Sequence, residues 1–84
     1  MSYTVTWKPT AEQELASIWI EATDRQVVTL AADRVDVVLR VDPNSQGESR
    51  PNDTRIMFEL PLGIRFEVKD DDRLVEVLQV WRIE

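Results

Sequence analysis

Residues 3–8 alternate in character: Tyr3, Val5 and Trp7 are apolar, while Thr4, Thr6 and Lys8 are polar. A period of two predicts a half-buried strand. Pro9 closes it, and Thr10 with Gln13 three positions later makes a capping box that predicts the start of a helix. In that helix Ala11, Leu15, Ile18, Trp19 and Ala22 share one face, and Glu12, Glu14 and Glu21 stay outside. Glu12 and Glu14 also lie in the first turn, where carboxylates complement the helix dipole. The apolar phase breaks at Thr23 and Asp24, either of which can cap a second helix. Val27, Ala31, Val35, Val38 and Leu39 supply its stripe; Arg25, Asp33, Arg34, Asp36 and Arg40 supply its wet face. Pro43 stops it. So short a break between two amphipathic segments predicts an antiparallel helical hairpin.

Residues 43–53 hold two of the four prolines and one of the two glycines, and are expected to form the only long loop. Three strands should follow, at 55–60, 62–69 and 73–83. The order β-α-α-β-β-β predicts one α+β domain over residues 1–84, with the helical hairpin on one face of a mainly antiparallel four-stranded sheet. Helix parity makes any pairing of the first strand with the last antiparallel.

Register decides where the charges go, because a slip of one residue moves every side chain to the other face. A three-residue turn at Leu60, Pro61 and Leu62 sets Phe58 opposite Ile64 and Ile56 opposite Phe66. A four-residue turn over 70–73 sets Val68 opposite Val75 and Phe66 opposite Val77. Ile56, Phe58, Ile64, Phe66, Val68, Val75, Val77 and Trp81 then face the helices. The opposite face collects Arg55, Met57, Glu59, Gly63, Arg65, Glu67, Glu76, Leu78, Val80 and Arg82. Glu67 and Glu76 come out opposite each other, which is unfavourable without a cation between them, and Arg65 is the expected intermediary. All three tryptophans, Trp7, Trp19 and Trp81, fall on expected core faces.

Composition narrows the chemistry. The 84 residues contain no His and no Cys, and 16 acidic residues outweigh 10 basic ones for a net charge of −6. Thiol nucleophiles, disulfides, the usual zinc sites and imidazole bases are excluded. The charge also opposes a protein whose main task is gripping phosphates. The run Asp70-Asp71-Asp72 lacks the ordered spacing of a calcium loop and reads as a hairpin turn. No metal and no cofactor is expected. Without an apolar run of the ~18 residues that a membrane span needs, and without a signal-peptide pattern, a cytoplasmic protein with no membrane partner is expected.

The order of elements, together with the tail Pro61-Leu-Gly-Ile-Arg65-Phe-Glu-Val-Lys and Leu78-Gln-Val-Trp-Arg82, resembles the RelE/ParE superfamily of bacterial toxins from type II toxin–antitoxin modules. The opening Tyr3-Thr-Val-Thr-Trp-Lys-Pro and the acidic first helix resemble it too, so the likeness spans nearly the whole chain. It implies a toxin that acts on translation, by mRNA cleavage at the ribosome, or on DNA gyrase, and that an antitoxin neutralises. In the RNA-cutting branch basic residues on the open sheet face stabilise charge at the scissile phosphate. Arg65 matches the third-strand arginine of that site, Arg82 approximates the basic residue ending the fourth strand, and Arg55 stands in for lysines near the second.

The departures concern proton transfer. Cleavage through the 2′-oxygen needs a base and an acid. Glu67, Glu76 or Glu59 could serve as base, but the Tyr or His that commonly follows the last strand is missing, and Arg holds its proton too tightly. Three glutamates on the same face would also cancel much of the cationic field. The balance therefore shifts from an RNA cutter towards a protein-binding toxin or a silent relative. Against any site stands the plainer reading of Arg55, Arg65 and Arg82 as an ion-pair network that keeps an exposed face soluble. A non-toxic interaction module of the same fold, with a homodimer as one form of it, is the alternative from a different class. Any partner segment is expected to carry apolar anchors and basic residues, because this chain supplies the negative charge.

Overall fold

A computed structural model describes residues 2–83. Its elements are β1 (Thr4–Trp7), α1 (Pro9–Glu21), α2 (Arg25–Val41), β2 (Glu48–Arg50), β3 (Thr54–Glu59), β4 (Leu62–Lys69) and β5 (Leu74–Arg82). Single 3-10 turns occupy Pro43–Ser45, Pro51–Asp53 and Asp70–Asp72. The strands form one sheet in the order β1-β5-β4-β3-β2, and the helical hairpin covers one face of it. The α+β architecture is as expected, with five strands in place of four.

The extra strand is β2, in the segment expected to be loop. Its three residues are all exposed, so no alternation betrays it. It pairs antiparallel with β3 and adds one reversal of the chain. That reversal makes β1 parallel to β5, with Val5 opposite Val75 and Trp7 opposite Val77, and corrects the antiparallel pairing deduced from a four-stranded count.

Both helices begin where the breaks suggested, but by other means. Lys8 and Asp24 occupy the N-cap positions and neither makes a side-chain capping bond, so the Thr10–Gln13 capping box is not formed; α1 starts instead on Pro9, a residue pre-set for the first helical position. In α2 the buried residues are Val28, Ala31, Val35 and Leu39, while Val27 is 48% exposed. Two adjacent valines offer the helix two phases, and Val28 keeps step with the other three. Arg25 donates to the carbonyls of Trp19 at 2.9 Å and Ile20 at 2.8 Å. A cation thereby sits on the open C-terminal carbonyls of α1, and its guanidinium lies 4.7 Å from the centre of the Trp19 ring.

Two features reset the faces of the sheet. The β3–β4 turn uses two residues, so Glu59 pairs with Leu62, Met57 with Ile64 and Phe58 with Gly63. Met57 is therefore buried, Phe58 is 61% exposed and Ile56 shares the outer face. In β5, Val77 pairs with Phe66 and Gln79 with Arg65, leaving Leu78 as an unpaired bulge. Without the bulge Gln79 would point under the helices, where its amide would lose water without a partner. With it, Gln79 is exposed and Val80 is buried. Trp81 consequently turns outward over Gly63, and Arg82 turns to the helix side. The β4–β5 hairpin keeps the expected register, Val68 on Val75 and Phe66 on Val77. The core is Val28, Val35, Leu39, Met57, Leu62, Ile64, Phe66, Val75, Val77 and Val80 with Ala11 and Ala31.

Candidate functional site

The open face of the sheet reads as rows of cross-strand neighbours. Phe58, Gly63 and Trp81 form the first row; Glu48, Ile56, Arg65 and Gln79 the second; Arg50, Thr54, Glu67, Glu76 and Thr6 the third. Gly63 is a glycine for packing: a Cβ there would lie 2.4 Å from Trp81 Cε2. The aromatic ring thus lies flat on backbone, with Phe58 on its far side.

Of the three candidate arginines only Arg65 is on this face. Its Nε is buried without a hydrogen-bond partner, and among the described residues no ion pair links it to Glu67 or Glu76. Glu67 and Glu76 do face each other, as expected. The cation that approaches them is Lys69, 3.6 Å from Glu76 Oε1, and not Arg65.

Arg55 and Arg82 are on the helix side, contrary to the expected face. Arg55 pairs across from Phe66 and is spent on the 46–49 segment, donating to the carbonyls of Gln46 at 2.8 Å and Gly47 at 3.2 Å and to Ser49 Oγ at 2.9 Å. Arg82 forks onto Asp24 in the interhelical turn, at 3.0 and 2.8 Å. That hydrogen-bonded fork holds the Asp24 carboxyl below its ordinary pKa. Glu59, expected on the open face, is inward as well and lies 3.8 Å from Arg34 of α2. The separation removes the shared cationic field that in-line displacement at a phosphate would use. Of the candidate groups, the open face keeps the Arg65 guanidinium with Glu67 and Glu76, beside Phe58 and Trp81, while Arg50 and Glu48 of β2 pair with each other at its edge. Among the described residues no cluster of three or more acidic groups is arranged to hold a metal, and no helix is long and apolar enough to cross a membrane.

A second concavity went unnoticed in the sequence. Trp7, Leu15, Ala16, Trp19, Ile20, Val28, Thr29 and Ala32 line a groove of about 620 Å³ between α1 and α2, and Glu12, Asp33 and Asp36 also line it. Trp7 Nε1 donates to Asp36 at 2.8 Å and Trp19 Nε1 to Thr29 at 3.2 Å, fixing both indoles. The available signal was Ile20, an apolar residue that the first helix's core face does not use.

Over 100% of this chain and 95% of the other, the fold superposes with a TM-score of 0.82 and 17% identity on a chain of the RelBE2 toxin–antitoxin complex from Mycobacterium tuberculosis. The chain has the RelE/ParE fold. A chain of the chromosomal ParDE system of P. aeruginosa matches with a TM-score of 0.72 at 18% identity, over 98% of this chain and 97% of that one. The isolated E. coli RelE toxin matches at 0.60 and 17%, over 98% and 85%. No protein-family model and no curated protein matches the sequence. Against the RelE/ParE fold the bulge at Leu78 has a clear consequence: the strand that ends in a basic residue here presents Trp81, not Arg82, on the open face.

Proposed function

We infer that the chain is the toxin-like component of a type II toxin–antitoxin module, acting by binding a protein target and neutralised by an antitoxin. The observation that carries this reading is the whole-chain fold match to a toxin–antitoxin complex, with a TM-score of 0.82. Protein binding is favoured over RNA cutting by the dispersal of the three candidate arginines: Arg55 serves a loop, Arg82 serves Asp24, and of the three only Arg65 faces outward. Gyrase is then the target class that the ParE side of the fold suggests, ahead of the ribosome. The groove between α1 and α2 supports an antitoxin partner. Its floor is apolar and three carboxylates line it, which suits an amphipathic segment carrying basic residues.

A second reading is favoured by the facing pair Glu67 and Glu76: an interaction module of the same fold with no toxic activity. Expression of the chain alone in bacteria separates the two. Growth arrest, relieved by co-expressing the product of an adjoining short reading frame and retained in Arg65→Ala, supports the toxin that binds protein. Normal growth supports the silent module. Ribosome-dependent mRNA cleavage that Arg65→Ala abolishes would overturn both and restore the nuclease.

A further inference from the structure

Helix α2 carries a second apolar stripe that none of the described residues covers. Val27, Leu30, Val37 and Val41 are 48%, 50%, 55% and 66% exposed. With Arg34 they recur at alternating steps of three and four residues, the seam spacing of paired helices. At 3.6 residues per turn this seam lies roughly 140° around the helix from the groove residues Thr29, Ala32 and Asp36. The seam is therefore a separate surface from the groove floor, with Asp33 on the border between them.

We propose that the seam is a homodimer contact in which the α2 helices of two copies pack antiparallel about a two-fold axis near Arg34. The inference does not rest on the toxin reading. A two-fold contact must be self-complementary, and the seam meets that condition. Val27 and Val41 stand seven residues on either side of Arg34, with Leu30 and Val37 between. Each valine at one end thus meets the valine at the other end of the second copy, and Leu30 meets Val37.

The charges select the occupant. Arg34 is the only charged residue in the seam, its side chain is 70% exposed, and its contact with Glu59 is a loose 3.8 Å. Asp33 precedes it, so two Arg34 and two Asp33 gather at the axis and each guanidinium has a carboxylate of the second copy in reach. A basic segment suited to the acidic groove brings no carboxylate to Arg34, whereas a second copy brings its own Asp33, so the second copy is favoured here. The 17-residue helix that carries the seam spans about 25 Å. One helix pair of that length buries less than the ~1,200 Å² of a standard stable interface, so the dimer is concentration-dependent.

Sedimentation equilibrium of the full chain, from about 5 to about 500 µM, tests this. The expected result is a monomer–dimer equilibrium whose dissociation constant rises at least ~10-fold in Leu30→Glu, with an unchanged circular dichroism spectrum because Leu30 is exposed. Asp33→Arg and Arg34→Asp should each weaken the dimer, and the double exchange should restore it. A wild-type chain that stays monomeric throughout, or a Leu30→Glu variant that dimerises as well as wild type, would overturn the proposal. A double exchange as weak as the single ones would overturn its two-fold register.

Discussion

At the scale of single residues, Asp24 and Arg82 tie the interhelical turn to the end of the sheet. Sequence periodicity could not anticipate this bond, because it joins positions 58 apart and depends on a bulge that rotates Arg82 by one face. The folded pKa of Asp24 is depressed, chiefly by the hydrogen bond from Arg82. Such a group stabilises the fold fully above the ordinary carboxylate pKa of ~3.9, and the contribution is lost as pH falls through the depressed value. Asp24→Asn should therefore lower Tm at neutral pH and converge with wild type in acid; a constant deficit at all pH values would show that the charge is not the source. Tyr3 forms the complementary case. Its hydroxyl donates to Asp70 at 2.7 Å, Asn44 donates to both, and the Arg73 guanidinium lies 5.1 Å from the ring centre. The bond to Asp70 raises the Tyr3 pKa and lowers that of Asp70. Stability from Tyr3 is thus complete below its unfolded value of ~10 and lost as pH rises through the folded one. Thermal melts of Tyr3→Phe should lie below wild type at neutral pH and close the gap above that value. A gap that widens in alkali would contradict the assignment.

At the scale of elements, the two helices and the three strands after residue 53 were legible because each carries an apolar period long enough to count. The Val68–Val75 register was legible for the same reason, since both strands alternate cleanly up to their shared turn. The rest hid in places where the pattern permits two answers. Val27 and Val28 let α2 roll, Ile56-Met57-Phe58 is apolar on both faces of β3, and Val77-Leu78-Gln79-Val80 alternates with or without a bulge. Steric and solvation terms then decide. Gly63 is one such term, because the Trp81 ring needs bare backbone beneath it. Gly63→Ala should destabilise by about 1–3 kcal/mol, the ordinary cost of overpacking, and Trp81→Val should recover part of that loss in the double variant. Strictly additive losses, measured by denaturant unfolding, would show that ring and glycine are not coupled. The edge strand β2 was hidden differently: an exposed three-residue strand is held by Arg55 and by pairing with β3, and both lie outside its own sequence.

At the scale of the whole molecule, the net charge of −6 changes meaning once it is placed in space. Read along the chain it opposed nucleic acid. In the fold, Glu12, Asp33 and Asp36 line the apolar interhelical groove, and the candidate arginines are divided between two faces of the sheet. An amphipathic helical peptide with leucines on one face and lysines or arginines beside them should bind there. Trp19 is 42% exposed in that groove, so binding should shift indole fluorescence to the blue as water leaves the ring. Exposed charges weaken with screening once ions shorten the Debye length to ~3 Å near 1 M salt, so the dissociation constant should rise several-fold with ionic strength. Ala16 lies in the groove and is exposed, and Ala16→Lys adds both bulk and the wrong charge; it should abolish binding without altering the fold. The decisive control is the same peptide with its basic residues exchanged for glutamate. Equal binding of the acidic version would mean that the groove selects apolar shape alone. Binding of the basic version only, with its salt dependence, would assign the excess acidic charge to partner recognition.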